Sequence, residues 1–193
     1  MLLTRSSRLT VLGLALFAIA CSGTGPKATY VDTAYPFSLY ALTGAPANAP
    51  TAIAFLGGPT PANAGFAFDV AMDIDPSGTT RIYPVRTLAG GLAVSATKRV
   101  GLQLVSGTTF EALTQAPATG YDTLGSKVVV PGSVIAAEIL DQSTCLYSLN
   151  GYTVYAKLTI DSIQTGARRI YGRTVVDPNC GFHELRPDTI PER

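Results

Sequence analysis

Apolar side chains spaced two apart are the feature that most constrains this chain. In residues 66–75, Phe66, Phe68, Val70, Met72 and Ile74 point one way, while Asp69, Asp73 and Asp75 point the other. A period of two is the signature of a half-buried β-strand. The stretch ends at Asp75-Pro76-Ser77-Gly78, where Pro at the second turn position and Gly at the fourth suit a type I turn followed by a bulge. Similar segments at 37–42, 51–56, 80–87, 99–105, 127–130, 133–140, 152–163 and 168–176 are separated by Gly, Pro, Thr and Asn. The last two form the longest hairpin and turn at residues 164–167. Pro84 lacks a backbone donor, so the strand at 80–87 is expected at a sheet edge or beside a bulge. The one helical signal is Thr108-Thr109-Phe110-Glu111, with the spacing of a capping box. It predicts a turn or two of helix up to about Gln115, stopped by Pro117. Eight or nine short strands and at most one short helix predict an antiparallel β-sandwich, Ig-like or similar, with a small β-barrel as the alternative.

The N-terminus carries a second signal. Arg5 and Arg8 precede the apolar run 11–20, which is too short to span a bilayer but has the length of a signal-peptide core. The run ends Ala18-Ile19-Ala20-Cys21, which resembles the lipobox of bacterial lipoprotein precursors. The resemblance implies cleavage before Cys21, a diacylglycerol on its sulfur and an acylated new N-terminus. Such multiple acyl chains anchor stably. Ser22, where lipoproteins retained at the inner membrane tend to carry Asp, implies the outer membrane, on its periplasmic or surface face. Residues 1–20 are then a leader, 21–35 a flexible tether, 36–185 the β-sandwich and 186–193 a polar tail. The phrases at 68–74 and 177–182 resemble those of uncharacterised bacterial lipoproteins, which implies no activity.

Composition fits export. Charged residues make up 14% of the chain, against about 25% in ordinary soluble domains. Loss of Arg5 and Arg8 with the leader takes the formal charge from +1 to about −1, which leaves no basic excess for nucleic acid. Of the three cysteines, Cys21 goes to lipid, and Cys145 and Cys180 are expected to close a disulfide.

Signals for chemistry are sparse. Asp73-Ile74-Asp75-Pro76-Ser77-Gly78 looks like the start of a calcium loop, but Pro84 stands where an EF-hand needs its bidentate Glu. A hairpin turn with Asp73 opposite Arg81 is the preferred reading. A Ca²⁺ site of Asp69, Asp73 and Asp75 is the weak alternative, and no metal or other cofactor is expected. His183 is the sole histidine, and no G-x-S-x-G elbow supplies a nucleophile for it. The remaining candidate is a cationic, aromatic ligand patch: Arg169, Tyr171 and Arg173 alternate on one strand, Tyr155 and Lys157 on its expected partner. These residues meet only if the hairpin register aligns their faces.

The sequence therefore predicts a non-catalytic cell-envelope lipoprotein. It would be tethered to the membrane by lipid and act as a binding or assembly module for an envelope protein or glycan. The alternatives are a lipocalin-like carrier of a small apolar ligand and an envelope hydrolase working through carboxylates.

Overall fold

The structure, a computed structural model, describes residues 27–63, 65–89, 98–146, 148 and 151–192. Cys21, the stretch read as a leader and the first part of that read as a tether lie outside them. Two five-stranded antiparallel sheets form a β-sandwich. The strands are β1 (Thr33–Tyr40), β2 (Ala52–Ala54), β3 (Gly58–Thr60), β4 (Val70–Ile74), β5 (Thr80–Pro84), β6 (Lys98–Leu104), β7 (Lys127–Val129), β8 (Val134–Asp141), β9 (Thr153–Gln164) and β10 (Arg169–Asp177). One sheet has the order β1-β10-β9-β8-β6, the other β3-β2-β4-β5-β7. Helix α1 (Val85–Leu88) follows β5 directly.

The alternating apolar positions fill the space between the sheets. Leu39, Val100, Leu102, Leu158, Ile160 and Ile170 of the first sheet pack with Ile53, Val70, Met72 and Ile82 of the second in one continuous core, all fully buried. At about 25 cal/mol per Å², each such side chain contributes on the order of 2 kcal/mol. The β9–β10 hairpin is pinned by a bulge between Tyr171 and Gly172. Gly172 is required there by close approach, because a Cβ would overlap the Thr159 carbonyl oxygen and the Phe37 ring. The disulfide Cys145–Cys180, with Cα atoms 5.9 Å apart, ties the turn before β9 to the segment after β10.

Several elements depart from the sequence reading, each for a local reason. A tenth strand, β3, returns on β2 through a tight turn at Gly58 (φ +87°), where the sequence reading ends the strand. β4 starts only at Val70, because Phe66 takes a left-handed φ of 49° and breaks the alternation before it. β5 is an interior strand. Pro84 is its last residue, beyond the Thr80–Ile82 stretch that pairs with β7, and its missing donor falls at the N-cap of α1. The Thr108–Glu111 signal makes no helix. The Thr109 hydroxyl accepts from Ala112 N–H at 3.2 Å, a single turn that runs on into a bridge between Gln115 and Glu184. β1 begins at Thr33, inside the stretch read as tether. Before it, Thr29 and Tyr30 N–H donate to the Asn179 side-chain oxygen at 2.8 and 2.9 Å.

The turn at 75–78 forms as its residues dictate. Gly78 has φ +86°, Gly78 N–H donates to the Asp75 carbonyl, and the Asp75 carboxylate accepts from Ser77 and Thr79.

Candidate functional site

The outer face of the β1-β10-β9-β8-β6 sheet carries the five patch residues. The register sets Arg173 opposite Thr159, Val175 opposite Lys157 and Asp177 opposite Tyr155. By strand alternation, Tyr155 and Lys157 therefore share a face with Arg169, Tyr171 and Arg173. The face divides into a covered half and an open half.

The covered half lies under the 105–124 crossover and the chain after β10. Lys157 is only 2% exposed. Its ammonium donates to the Phe110 and Leu113 carbonyls at 2.7 and 2.8 Å and lies 4.7 Å from the Phe110 ring centre. Burial pushes its pKa down, opposed by the charges of Glu111 and Asp32. This lysine holds the crossover to the sheet and is closed to a ligand. Tyr155 is likewise buried, with the His183 ring stacked on it at 4.0 Å between centres. Burial, then the charge of Glu138, raises its pKa.

A polar junction continues this half to the chain's two ends. Asp32 and Asp177 are 1% and 0% exposed. Asp32 accepts Arg186 N–H at 2.8 Å, and its backbone exchanges hydrogen bonds with Asp188 and Thr189. Asp177 accepts both the backbone and side-chain N–H of Asn179, at 2.7 and 2.8 Å, and Asn179 in turn clips Tyr30. One oxygen of each aspartate, Oδ1 of Asp32 and Oδ2 of Asp177, has no hydrogen-bond partner. Desolvation, followed by the charge of Asp177, pushes Asp32 up to about 7. Desolvation pushes Asp177 up to about 6 against its hydrogen bonds to Asn179.

Beside this junction opens a cleft of about 650 Å³, lined by Gln115, Phe182, His183, Glu184, Arg186 and Glu192 among others. Its His183, Glu184 and Arg186 side chains are engaged. Glu184 pairs with Arg186 at 3.1 Å and accepts Glu192 N–H at 2.8 Å, while His183 Nδ1 lies 3.4 Å from the Ala116 carbonyl.

The open half lies at the other end of β1 and β10. Arg169 sits opposite Tyr40, and Tyr171 opposite Ser38. The guanidinium lies 4.4 Å from the Tyr40 ring centre and 5.4 Å from that of Tyr171. It donates to the Tyr40 hydroxyl at 3.0 Å and to the Ser38 hydroxyl. Among the described residues, no carboxylate pairs with it. Arg173, two positions beyond Tyr171, differs. It pairs with Asp161 and Glu111 at 3.1 and 3.0 Å and is electrostatically satisfied.

The three acids of the calcium alternative go to separate tasks. Asp69 holds Lys98 at 2.7 Å and accepts Phe55 N–H at 2.6 Å. Asp75 caps its own turn, where hydrogen bonds from Ser77 and Thr79 lower its pKa. Asp73 stands opposite Arg81 in register, yet its ion pair is with Arg168 at 3.1 Å. Arg168 also donates to the Thr43 and Ile74 carbonyls and so clamps the β9–β10 turn onto the other sheet. Among the described residues, no three His, Cys, Asp or Glu side chains gather to hold a metal ion.

The sequence reading missed Tyr40 and Ser38, which meet Arg169 only because β1 pairs with β10. It also missed the Asp32–Asp177–Asn179 junction, whose C-terminal members lie 145 and more residues from the N-terminal segment they hold. The polar run Asp177-Pro178-Asn179 after a long strand was the only available hint. No family model, curated protein or solved structure matches this chain.

Proposed function

We propose that this protein is a non-catalytic envelope lipoprotein, a binding module anchored through lipid on Cys21 and most exposed to partners at the Tyr40–Arg169 end. The observation that carries the reading is the pinning of residues 29–32 to Asn179, Arg186 and Thr189 at one end of the sandwich. Lys27 is six residue steps along the chain from Cys21, a reach of at most about 22 Å. A lipid on Cys21 would therefore hold that end close to the bilayer. β1 then runs away from it for eight residues, about 24 Å, to Tyr40. A domain oriented in this way presents the open half of the sheet outward.

The non-catalytic part of the reading draws support from the cleft, where His183, Glu184 and Arg186 are held by stacking and by one another. A carrier draws less support, because the space between the sheets is filled by the core side chains.

Fractionation of cells expressing the wild type and Cys21→Ala tests the anchor. The wild type is expected in the membrane fraction and the variant in the soluble envelope fraction. An unchanged membrane fraction for the variant refutes it.

A further inference from the structure

We infer that Arg169, held between Tyr40 and Tyr171, is the anion-recognition point of the open face and takes a carboxylate group of an acidic glycan. The choice of a glycan over a lipid headgroup rests on the orientation proposed above; the anion site itself does not.

Three features carry it. The first is charge. A guanidinium cannot shed its proton, so Arg169 carries a full charge at every working pH. Arg168, Arg173 and Arg186 each have a carboxylate within 3.1 Å; Arg169, like Arg81, Arg86 and Arg99, has none among the described residues, but it alone of these four is held against two aromatic rings, with only the neutral hydroxyls of Tyr40 and Ser38 as acceptors. The second is donor capacity. Of its five N–H donors, two have acceptors; Nε is buried and closed to a ligand, while Nη1 and Nη2 each keep one further N–H for an end-on contact. A charged donor set left this incomplete favours an oxyanion, which such a fork binds in bidentate fashion. The third is preorganisation. The side chain is held against two aromatic rings and a hydroxyl on the paired strands β1 and β10, so little rotamer entropy remains to be lost on binding.

The surroundings suit a sugar acid better than a bare ion. Tyr40 and Tyr171 place apolar rings and hydroxyls beside the guanidinium, and the Tyr171 hydroxyl reaches Gln164 only weakly, at 3.5 Å. Arg173 does not extend the site, since Asp161 and Glu111 already neutralise it. The recognition unit is therefore one charge wide. Binding should require one carboxylate and weaken only modestly with salt.

Titration of the purified full chain in nonionic detergent with oligogalacturonate, and with a neutral glucan of equal length, tests this directly. Binding of the acidic oligomer alone is expected. Arg169→Gln should weaken it by about tenfold or more, the loss of a charge-assisted pair. Arg169→Lys, which keeps the charge but not the fork, should fall between, and Arg173→Gln should change affinity less than about twofold. Melting temperatures recorded on the same samples confirm that each variant is folded, and Arg169→Lys carries the test if Arg169→Gln is not. Failure of the wild type to bind, equal binding of the neutral glucan, or unchanged affinity in both Arg169 variants overturns the inference. Arg169-dependent binding to phosphatidylglycerol vesicles without binding to the oligomer overturns the glycan assignment. None of these readouts depends on Cys21, so a failed anchor and a failed site are told apart.

Discussion

Replacing Asp32 by Asn should change how stability depends on pH. Folding buries the Asp32 carboxyl beside Asp177 and raises its pKa from 3.8 to about 7. An acid whose pKa rises on folding binds its proton more tightly in the folded state. Its contribution is therefore favourable below about pH 4 and is lost as the pH climbs through about 7. Three units correspond to roughly 4 kcal/mol in all, of which about 2–3 kcal/mol falls between pH 5 and pH 8. The substituted amide would stay neutral throughout, keep an oxygen for Arg186 N–H, and offer an NH₂ where Oδ1 of Asp32 has no partner. Urea unfolding followed by far-UV circular dichroism, with the disulfide intact, gives both curves. Relative to wild type, Asp32→Asn should gain about 2–3 kcal/mol on going from pH 5 to pH 8. A difference between the two proteins that stays flat across this range refutes the claim that Asp32 is held in a desolvated, like-charged site.

Three further outcomes follow from the packing. Lys157→Met removes two charge-assisted bonds and leaves the Phe110 and Leu113 carbonyls unmatched. A loss of about 2–4 kcal/mol is expected in denaturant unfolding, with faster amide exchange at Leu113, and an unperturbed crossover would contradict the anchoring role. Opening the Cys145–Cys180 bond, whose partners are 35 residues apart, should cost about 4 kcal/mol in the chain-entropy model. Free thiols titrated in the untreated protein at these two positions would contradict the bond itself. Gly172→Ala forces a Cβ against backbone and the Phe37 ring and should destabilise by about 1–3 kcal/mol, read as a lowered melting temperature.

The β-sandwich was legible because its signals are local. Alternation in 70–74 and 153–160 marks strands whose one face is core, and Pro76 with Gly78 marks the turn between β4 and β5. What stayed hidden depends on pairing between distant segments. Nothing near Lys157 announces that residues 110–113 will close over it. Its charge and its place beside Tyr155 read equally well as an open face. The same lack of register information concealed Tyr40 as the partner of Arg169, and Arg168 rather than Arg81 as the partner of Asp73. The capping-box spacing at Thr108–Glu111 misled because a local preference worth about 1 kcal/mol yields to the tertiary bonds the segment makes as a strap. The lipobox resemblance speaks to export and attachment alone, and the outer face of the sheet had to be located from contacts.

The orientation of the domain is tested most directly by photo-crosslinking in intact cells from single positions at its opposite ends, beside the N-terminal junction at Thr189 and beside Arg169 at Gln164. Lipid adducts are expected from Thr189, and adducts to an envelope glycan or protein from Gln164. Lipid adducts from Gln164, with none from Thr189, would invert the orientation and contradict it.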